Sequence, residues 1–246
     1  MADKLFEDAE LAALYDAWSP REVRNDYDFY LPQVMAASAV LDVGCGTGSL
    51  LHEAREAGHA GRLVGLDPAA GMLAQARRRS DIEWLRGDLA SAAFDAEFDL
   101  VVMTGHAFQV LVTDDEVRIG LAAVHRALKP GGCFAFETRN PAARAWDRWK
   151  PEFARTVTPP GAAPVRIVTE VIRPFDGSKL TFTHTFTSAA WSGARVSEST
   201  LRFLDAATLS AYLARAGFAL EAVSGDFDGS PLSDGSPEIV VIARRP

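Results

Sequence analysis

Val40-Leu41-Asp42-Val43-Gly44-Cys45-Gly46-Thr47-Gly48-Ser49 is the stretch that decides the fold. Residues 39–43 are apolar apart from Asp42, the pattern of a strand buried on both faces of a parallel sheet. Three glycines follow at alternate positions, and the run from Ser49 to Glu56 reads as a helix with Thr47 as its expected N-cap. Strand, glycine turn and helix make a nucleotide-binding corner, because glycine lets the backbone pass close to a ligand where a Cβ would collide.

The spacing selects among nucleotides. A dinucleotide fingerprint has the form Gly-x-Gly-x-x-Gly. Gly44-x-Gly46-x-Gly48 is one residue tighter, and Asp42 stands two positions before the first glycine. A carboxylate there repels a pyrophosphate but suits a ligand carrying an ammonium and a sulfonium, which points to S-adenosylmethionine (SAM). An NAD-dependent oxidoreductase on a similar corner is the competing enzyme class, and a SAM-binding module without catalysis is the non-enzyme alternative.

Outward from the corner, strands and helices alternate. Arg62 to Asp67 reads as a second strand ending in an acid, where a ribose diol is usually held; the alternative role for Asp67 is to cap the helix that begins at Pro68. A helix over 69–79 follows, with Met72 placed to face an adenine. Residues 81–86 form a third strand, after which Gly87-Asp88-Leu89 sets a further carboxylate at a strand end. Phe98 to Met103 is a fourth, very apolar strand, a helix spans 114–128, and Lys129-Pro130-Gly131-Gly132 turns into a fifth strand from Cys133 to Glu137. Ligand-type residues at strand C-terminal ends imply a doubly wound, Rossmann-like parallel sheet with its site at the switch point.

From residue 139 the texture changes. Val165–Arg173, Leu180–Ala189 and Val196–Leu204 read as strands joined at Asp176-Gly177 and Ser192-Gly193, both hairpin signals. We expect 139–205 to be an antiparallel β insertion above the active site, 38–138 with 206–246 to be the ligand-binding domain, and 1–37 to be a helical cap of two pieces. In the last part a helix over 206–216, capped by Asp205, precedes two strands, Phe218–Val223 and Glu238–Ala243.

Composition narrows the function. A net charge of −8 argues against nucleic acid as the partner, since its binders show basic surfaces. The single basic run, Arg77-Arg78-Arg79, sits where a helix should end and suits the helix dipole. No apolar run approaches the roughly 18 residues of a membrane span. The acidic N-terminus lacks a signal-peptide core, and two isolated cysteines form neither a disulfide framework nor a metal motif, so a reducing cytoplasm is expected. The five histidines show no metal-ligand spacing, and no metal is expected.

Together, Leu41-Asp42-Val43-Gly44-Cys45-Gly46-Thr47-Gly48, Gly65-Leu66-Asp67, Gly87-Asp88, Phe98-Asp99-Leu100-Val101 and Leu128-Lys129-Pro130-Gly131-Gly132 resemble the class I SAM-dependent methyltransferases, in particular the small-molecule methyltransferase-domain group. The resemblance covers Ala39 to Glu137 closely and the last 40 residues loosely. It implies a seven-stranded sheet whose last strand is antiparallel, SAM as methyl donor and S-adenosylhomocysteine as product. It implies that Asp42 orients the glycine turn and reaches toward the methionine amine, that Gly44, Cys45, Gly46 and Gly48 pass against the cofactor, and that Asp67 and Asp88 hold ribose and adenine amine. Pro68, Met72, Leu89 and Met103 would complete that site, with Tyr15 and Trp18 closing over it. The strand-four motif of amide and adenine N-methyltransferases is replaced by Met103-Thr104-Gly105-His106, and no Pro-Cys nucleophile appears. A small molecule methylated on nitrogen or oxygen is therefore the expected acceptor. His106, after strand four, is the leading proton acceptor; its other possible role is to bond cofactor or backbone. Glu137 and Arg139 would orient a polar acceptor, or pair with each other. His184, in the insertion, is a second possible base.

Overall fold

The computed structural model describes residues 3–246. Eleven strands are described: β1 (Ala39–Val43), β2 (Arg62–Asp67), β3 (Glu83–Arg86), β4 (Phe98–Met103), β5 (Leu128–Arg139), β6 (Arg155–Val157), β7 (Val165–Arg173), β8 (Lys179–Ser188), β9 (Arg195–Arg202), β10 (Ala219–Ser224) and β11 (Glu238–Arg244). The helices are α1 (Lys4–Glu7), α2 (Ala9–Ala12), α3 (Tyr15–Trp18), α4 (Asp26–Ala36), α5 (Ser49–Glu56), α6 (Ala70–Ala76), α7 (Asp114–Ala127) and α8 (Ala206–Arg215).

The main sheet has the order β10-β11-β5-β4-β1-β2-β3, and only β11 runs against the rest. The switch point falls between β1 and β4, where the strand order reverses. A helical layer covers each face because the strands alternate between two apolar sets. Leu41, Val43, Val101 and Phe134 pack under Val117, Leu121 and Val124 of α7 and Leu209 and Leu213 of α8. Val40, Leu63, Leu100 and Val102 meet Tyr30 and Val34 of α4 and Leu50 and Leu51 of α5. Asp42 shares the Val40 face and is therefore turned toward the α4–α5 layer.

The insertion forms a second, antiparallel sheet, β6-β7-β8-β9. Its first strand, Arg155–Val157, lies just before the Pro159-Pro160-Gly161 tract and was not expected. The cap is more broken than two helical pieces: Asp8, Leu14 and Ser19-Pro20 separate α1, α2 and α3. Its apolar residues have an unexpected partner. Leu5, Leu11 and Leu14 pack with Val165, Ile167 and Phe186 of the insertion, far along the chain. Leu5 N–H also donates to Ser197 Oγ at 2.9 Å, so cap and insertion form one apolar body above the main sheet.

Thr47 does not cap α5. Gly48, in left-handed conformation at φ 78°, stands at that position, and the Thr47 hydroxyl donates instead to Asp16 Oδ1 of α3 at 2.6 Å. This contact ties the cap to the glycine turn.

Candidate active site

The three glycines of the turn have φ of 73°, 56° and 78°, values that side-chain-bearing residues adopt at a cost. They serve different ends. A Cβ on Gly44 would lie 2.8 Å from the Ala107 Cβ, and one on Gly48 would strike the Trp84 ring. A Cβ on Gly46 would meet nothing within 4 Å. Gly46 is thus the point where backbone faces open space.

That space is a cavity of about 1180 Å³ running from the glycine turn to the underside of the insertion. It exceeds the roughly 300–1,000 Å³ of a typical small-molecule site, enough for a cofactor and a second ligand together. Of the residues expected to hold the cofactor, Tyr15, Trp18, Gly44, Gly46, Asp67, Pro68, Met72, Asp88, Leu89 and Met103 line it. Asp42, Cys45 and Gly48 stand behind its wall.

Asp67, only 6% exposed, accepts from Gly46 N–H at Oδ2 (2.9 Å) and from Ala69 N–H at Oδ1 (2.8 Å). The carboxylate anchors the turn ahead of α6 and borders the ligand space, but it does not cap the helix, which starts at Ala70 after Ala69. Burial raises its pKa, and the two backbone N–H groups partly oppose that. Asp42 is pushed further, to about 7, by burial first and by the neighbouring Asp67 charge second. Its Oδ1 is buried without a hydrogen-bond partner. An unsatisfied acceptor beside a glycine turn suits a ligand that brings positive charge, which is the fit a sulfonium-bearing, amine-bearing cofactor requires. Asp88 is exposed, and its Oδ1 accepts from Ser91 N–H at 2.9 Å, so it shapes its own turn as well as lining the cavity.

Beside the glycine turn, after β4, Gly105 and His106 both take left-handed φ, 65° and 64°. For histidine this is an uncommon conformation, and it is pinned: His106 N–H donates to Glu137 Oε1 at 2.7 Å, while Tyr30 O–H donates to Glu137 Oε2 at 2.5 Å. Glu137, 1% exposed, does not line the cavity. The expectation that it touches acceptor is corrected: both of its oxygens are occupied, and it positions His106. Nor does it pair with Arg139, whose Nη1 donates to Gln109 Oε1 at 2.8 Å.

The His106 imidazole lines the cavity with its Nε2 3.0 Å from both carboxylate oxygens of Glu238, a residue the sequence reading passed over. Burial lowers the His106 pKa to about 3, with the Arg139 charge adding to the effect. Burial raises Glu238 to about 7, against the pull of Arg139. Burial thus keeps the imidazole uncharged beside a carboxyl group that titrates near neutral pH. His184 lies on the same face of β8 as Phe182 and Phe186, not on the threonine face, so it points inward. Its ring meets Trp18 edge-on at 4.7 Å between centroids, its Nδ1 lies 2.9 Å from Thr169 Oγ1, and burial lowers its pKa to about 4. Among the described residues no group of three His, Cys, Asp or Glu side chains is placed to hold a metal ion, and no helix is long and apolar enough to cross a membrane.

Comparison with known proteins agrees with this geometry. Residues 40–132 match a family described as "Methyltransferase domain". The chain is 30% identical over 209 residues to the cypemycin N-terminal methyltransferase of a Streptomyces species, covering 84% of this chain and 82% of that one. The CcbJ methyltransferase of Streptomyces caelestis has the same fold, with a TM-score of 0.79 over 99% of both chains at 21% identity. SAM-bound CalS10, an amino pentose methyltransferase from Micromonospora echinaspora, superposes with a TM-score of 0.68 over 95% of each chain at 25% identity.

Proposed function

This chain belongs to the SAM-dependent methyltransferases, and from that premise we propose that it methylates a nitrogen of a small-molecule acceptor held between the glycine turn and the insertion. One observation carries the reading: one cavity is lined by the glycine turn, by the His106 ring on the loop packed beside that turn, and by the underside of the insertion. The oxidoreductase alternative has no support from the family match. Support for nitrogen comes from relatives named for an N-terminus or an amino sugar, the cypemycin enzyme among them. One of these, the dTDP-3-amino-3,4,6-trideoxy-alpha-D-glucopyranose N,N-dimethyltransferase of Streptomyces venezuelae, is 31% identical over 118 residues. We read 1–37 as the cap over the cofactor, 38–138 with 206–246 as the domain that binds it, and 139–205 as the cover over the acceptor.

Bound SAM supplies an activated methyl group and a good leaving group. Gly44 and Gly46 give the cofactor a close backbone surface, and Asp67 stands beside it to accept from ribose hydroxyls. Tyr15 and Trp18 close that end against water. An ammonium acceptor must lose a proton before its nitrogen can attack. Glu238 accepts Nε2–H of His106, which fixes the tautomer with a lone pair on Nδ1, and Nδ1 has no partner among the described residues. A lone imidazole with pKa about 3 is a poor base. The pair is a better one: Nδ1 takes the substrate proton as Nε2–H passes to Glu238, whose pKa of about 7 matches neutral pH.

The test is methyl transfer from labelled SAM into a metabolite extract and into purified primary amines, amino sugars included, followed by mass spectrometry. We expect label on nitrogen. His106→Ala should reduce turnover by about 10²-fold or more with SAM affinity intact. Label confined to oxygen or carbon would refute the nitrogen assignment, and turnover within a few-fold of wild type in His106→Ala would refute the base.

A further inference from the structure

Arg139 is an unpaired cation inside the cavity. Other arginines with deeply placed side chains each have a carboxylate: Arg24 has Asp26 at 2.7 Å, Arg202 has Asp114 at 2.5 Å and Arg55 has Asp81 at 3.6 Å. Among the described residues, no carboxylate lies within 4.0 Å of the Arg139 guanidinium. Its two acidic neighbours are committed elsewhere, Glu238 to His106 and Glu137 to Tyr30 and the His106 backbone.

The guanidinium is nonetheless held in place. Nη1 donates to Gln109 Oε1, and Gln109, 1% exposed, is itself fixed by donating from Nε2 to the Arg202 carbonyl at 3.0 Å. Trp149 lies beneath the charge, 5.5 Å from its ring centroid. Two neighbouring titratable rings, His106 and His184, are held neutral by burial. Farther out, Arg148, Lys150 and Arg155 line the insertion side of the cavity, against two acids there, Glu198 and Asp3, the latter bonded to Ser199. In a chain of net charge −8 this is a local reversal of sign. A buried cation held by a neutral amide and lacking a counter-ion is stabilised most by an incoming anion, and a guanidinium fork matches planar oxyanions.

Arg24 is the other deep cation of this region: its Nη2 approaches the Cβ position of Gly105 to 3.7 Å, but Asp26 neutralises it at 2.7 Å. Arg139, beside Trp149 and Gln109, has no such partner among the described residues.

We propose that Arg139 receives an oxyanion, carboxylate or phosphate, borne by the acceptor, so that the substrate is an anionic amine oriented with its nitrogen toward His106. The proposal rests on the methyltransferase reading given above for the word acceptor, but its test does not depend on turnover.

Isothermal titration of protein saturated with S-adenosylhomocysteine uses three probes of one shape: phenylacetate, phenyl phosphate and the neutral phenylacetamide. At least one anion should bind tenfold or more tightly than the amide, and the tighter of the two names the group. Arg139→Gln should level anion and amide, Arg139→Lys should keep part of the preference, and both should unfold near the wild-type temperature. Equal binding of acid and amide by wild type, or no binding of any probe, overturns the proposal. So does a tenfold loss of S-adenosylhomocysteine affinity in Arg139→Gln, because the arginine would then serve the cofactor. If anion selectivity holds while no amine is ever methylated, the nitrogen reading fails, and the assignment of an oxyanion to Arg139 stands without it.

Discussion

Asp42 carries a charge that the folded protein solvates poorly: it is 1% exposed, and its Oδ1 has no partner. Its pKa rises from 3.8 to about 7 on folding. Between those values the folded chain binds more protons than the unfolded one, so this group lowers stability as pH rises through that window. Asp42→Asn removes the charge and should therefore gain stability relative to wild type between pH 5 and pH 8, by on the order of a few kcal/mol. Urea melts at the two pH values check this, and an unchanged difference would show that Asp42 is not strained by burial. The same variant should bind S-adenosylhomocysteine more weakly, since the unpaired carboxylate is the charge that an amine-bearing cofactor would offset. Asp42, the glycines and Asp67 were legible in the sequence because their positions are local to one strand–turn–helix unit. Glu238 was not, because 132 residues separate it from His106 and only the antiparallel pairing of β11 on β5 sets it there. Arg139 was legible as a residue at a strand end, but its lack of a counter-ion was not, since that depends on which distant carboxylates fail to reach it.

Among the elements, α3 shows how a short helix can be functional. It has four residues and would not persist alone, because helix nucleation is costly. Asp16 holds it to the glycine turn by accepting from Thr47 Oγ1 at 2.6 Å, with Ser49 Oγ at 3.5 Å. This fixes Tyr15 and Trp18 over the ligand space. A hydrogen bond to a charged group contributes about 1.5–3 kcal/mol, less where water competes. Asp16→Ala should therefore weaken S-adenosylhomocysteine binding by roughly tenfold, leave the main-sheet unfolding transition in place and increase the mobility of Trp18, read as fluorescence anisotropy. Unaltered affinity would mean that the cap packs by its apolar residues alone. Sequence periodicity located the long elements well: α7, read as 114–128, runs from Asp114 to Ala127. It served the cap poorly, because the apolar residues of α1 and α2 are divided between two distant partners, Leu5 and Leu11 facing the insertion and Phe6 and Ala12 facing α6. The Thr47 cap failed for a related reason. A left-handed glycine began the helix, and the hydroxyl was drawn to a carboxylate from another element.

At the scale of the whole molecule, the cavity has a floor and a roof of different construction. The floor is the switch point of a sheet buried under two helical layers. The roof is the cap and the insertion, joined by Leu5, Leu11 and Leu14 against Val165, Ile167 and Phe186. Burying an apolar side chain of this size contributes about 1.5–3 kcal/mol, so the six together make the roof move as a unit more readily than its halves move apart. Links to the floor are a few polar contacts, Asp16 to Thr47, Glu7 to the Ala70 N–H at 2.9 Å and Glu7 to Arg86 at 3.0 Å, and a small apolar cluster of Phe6, Ala12 and Tyr15 with Ala69 and Met72. A small, partly polar seam opens at lower free energy than a packed core. Cofactor entry should then lift cap and insertion together, and a bound cofactor should hold both down. Hydrogen exchange with and without S-adenosylhomocysteine tests this directly. Protection is expected in residues 4–18 and, at the same cofactor concentration, in β7 and β8, although β7 and β8 lie toward the acceptor end. Leu11→Ala, which loosens the shared cluster at a cost of about 2–5 kcal/mol, should reduce the protection of β7 and β8 more than that of the glycine turn. Protection limited to the turn and α6 would show instead that the roof halves move independently and that the insertion closes only on acceptor.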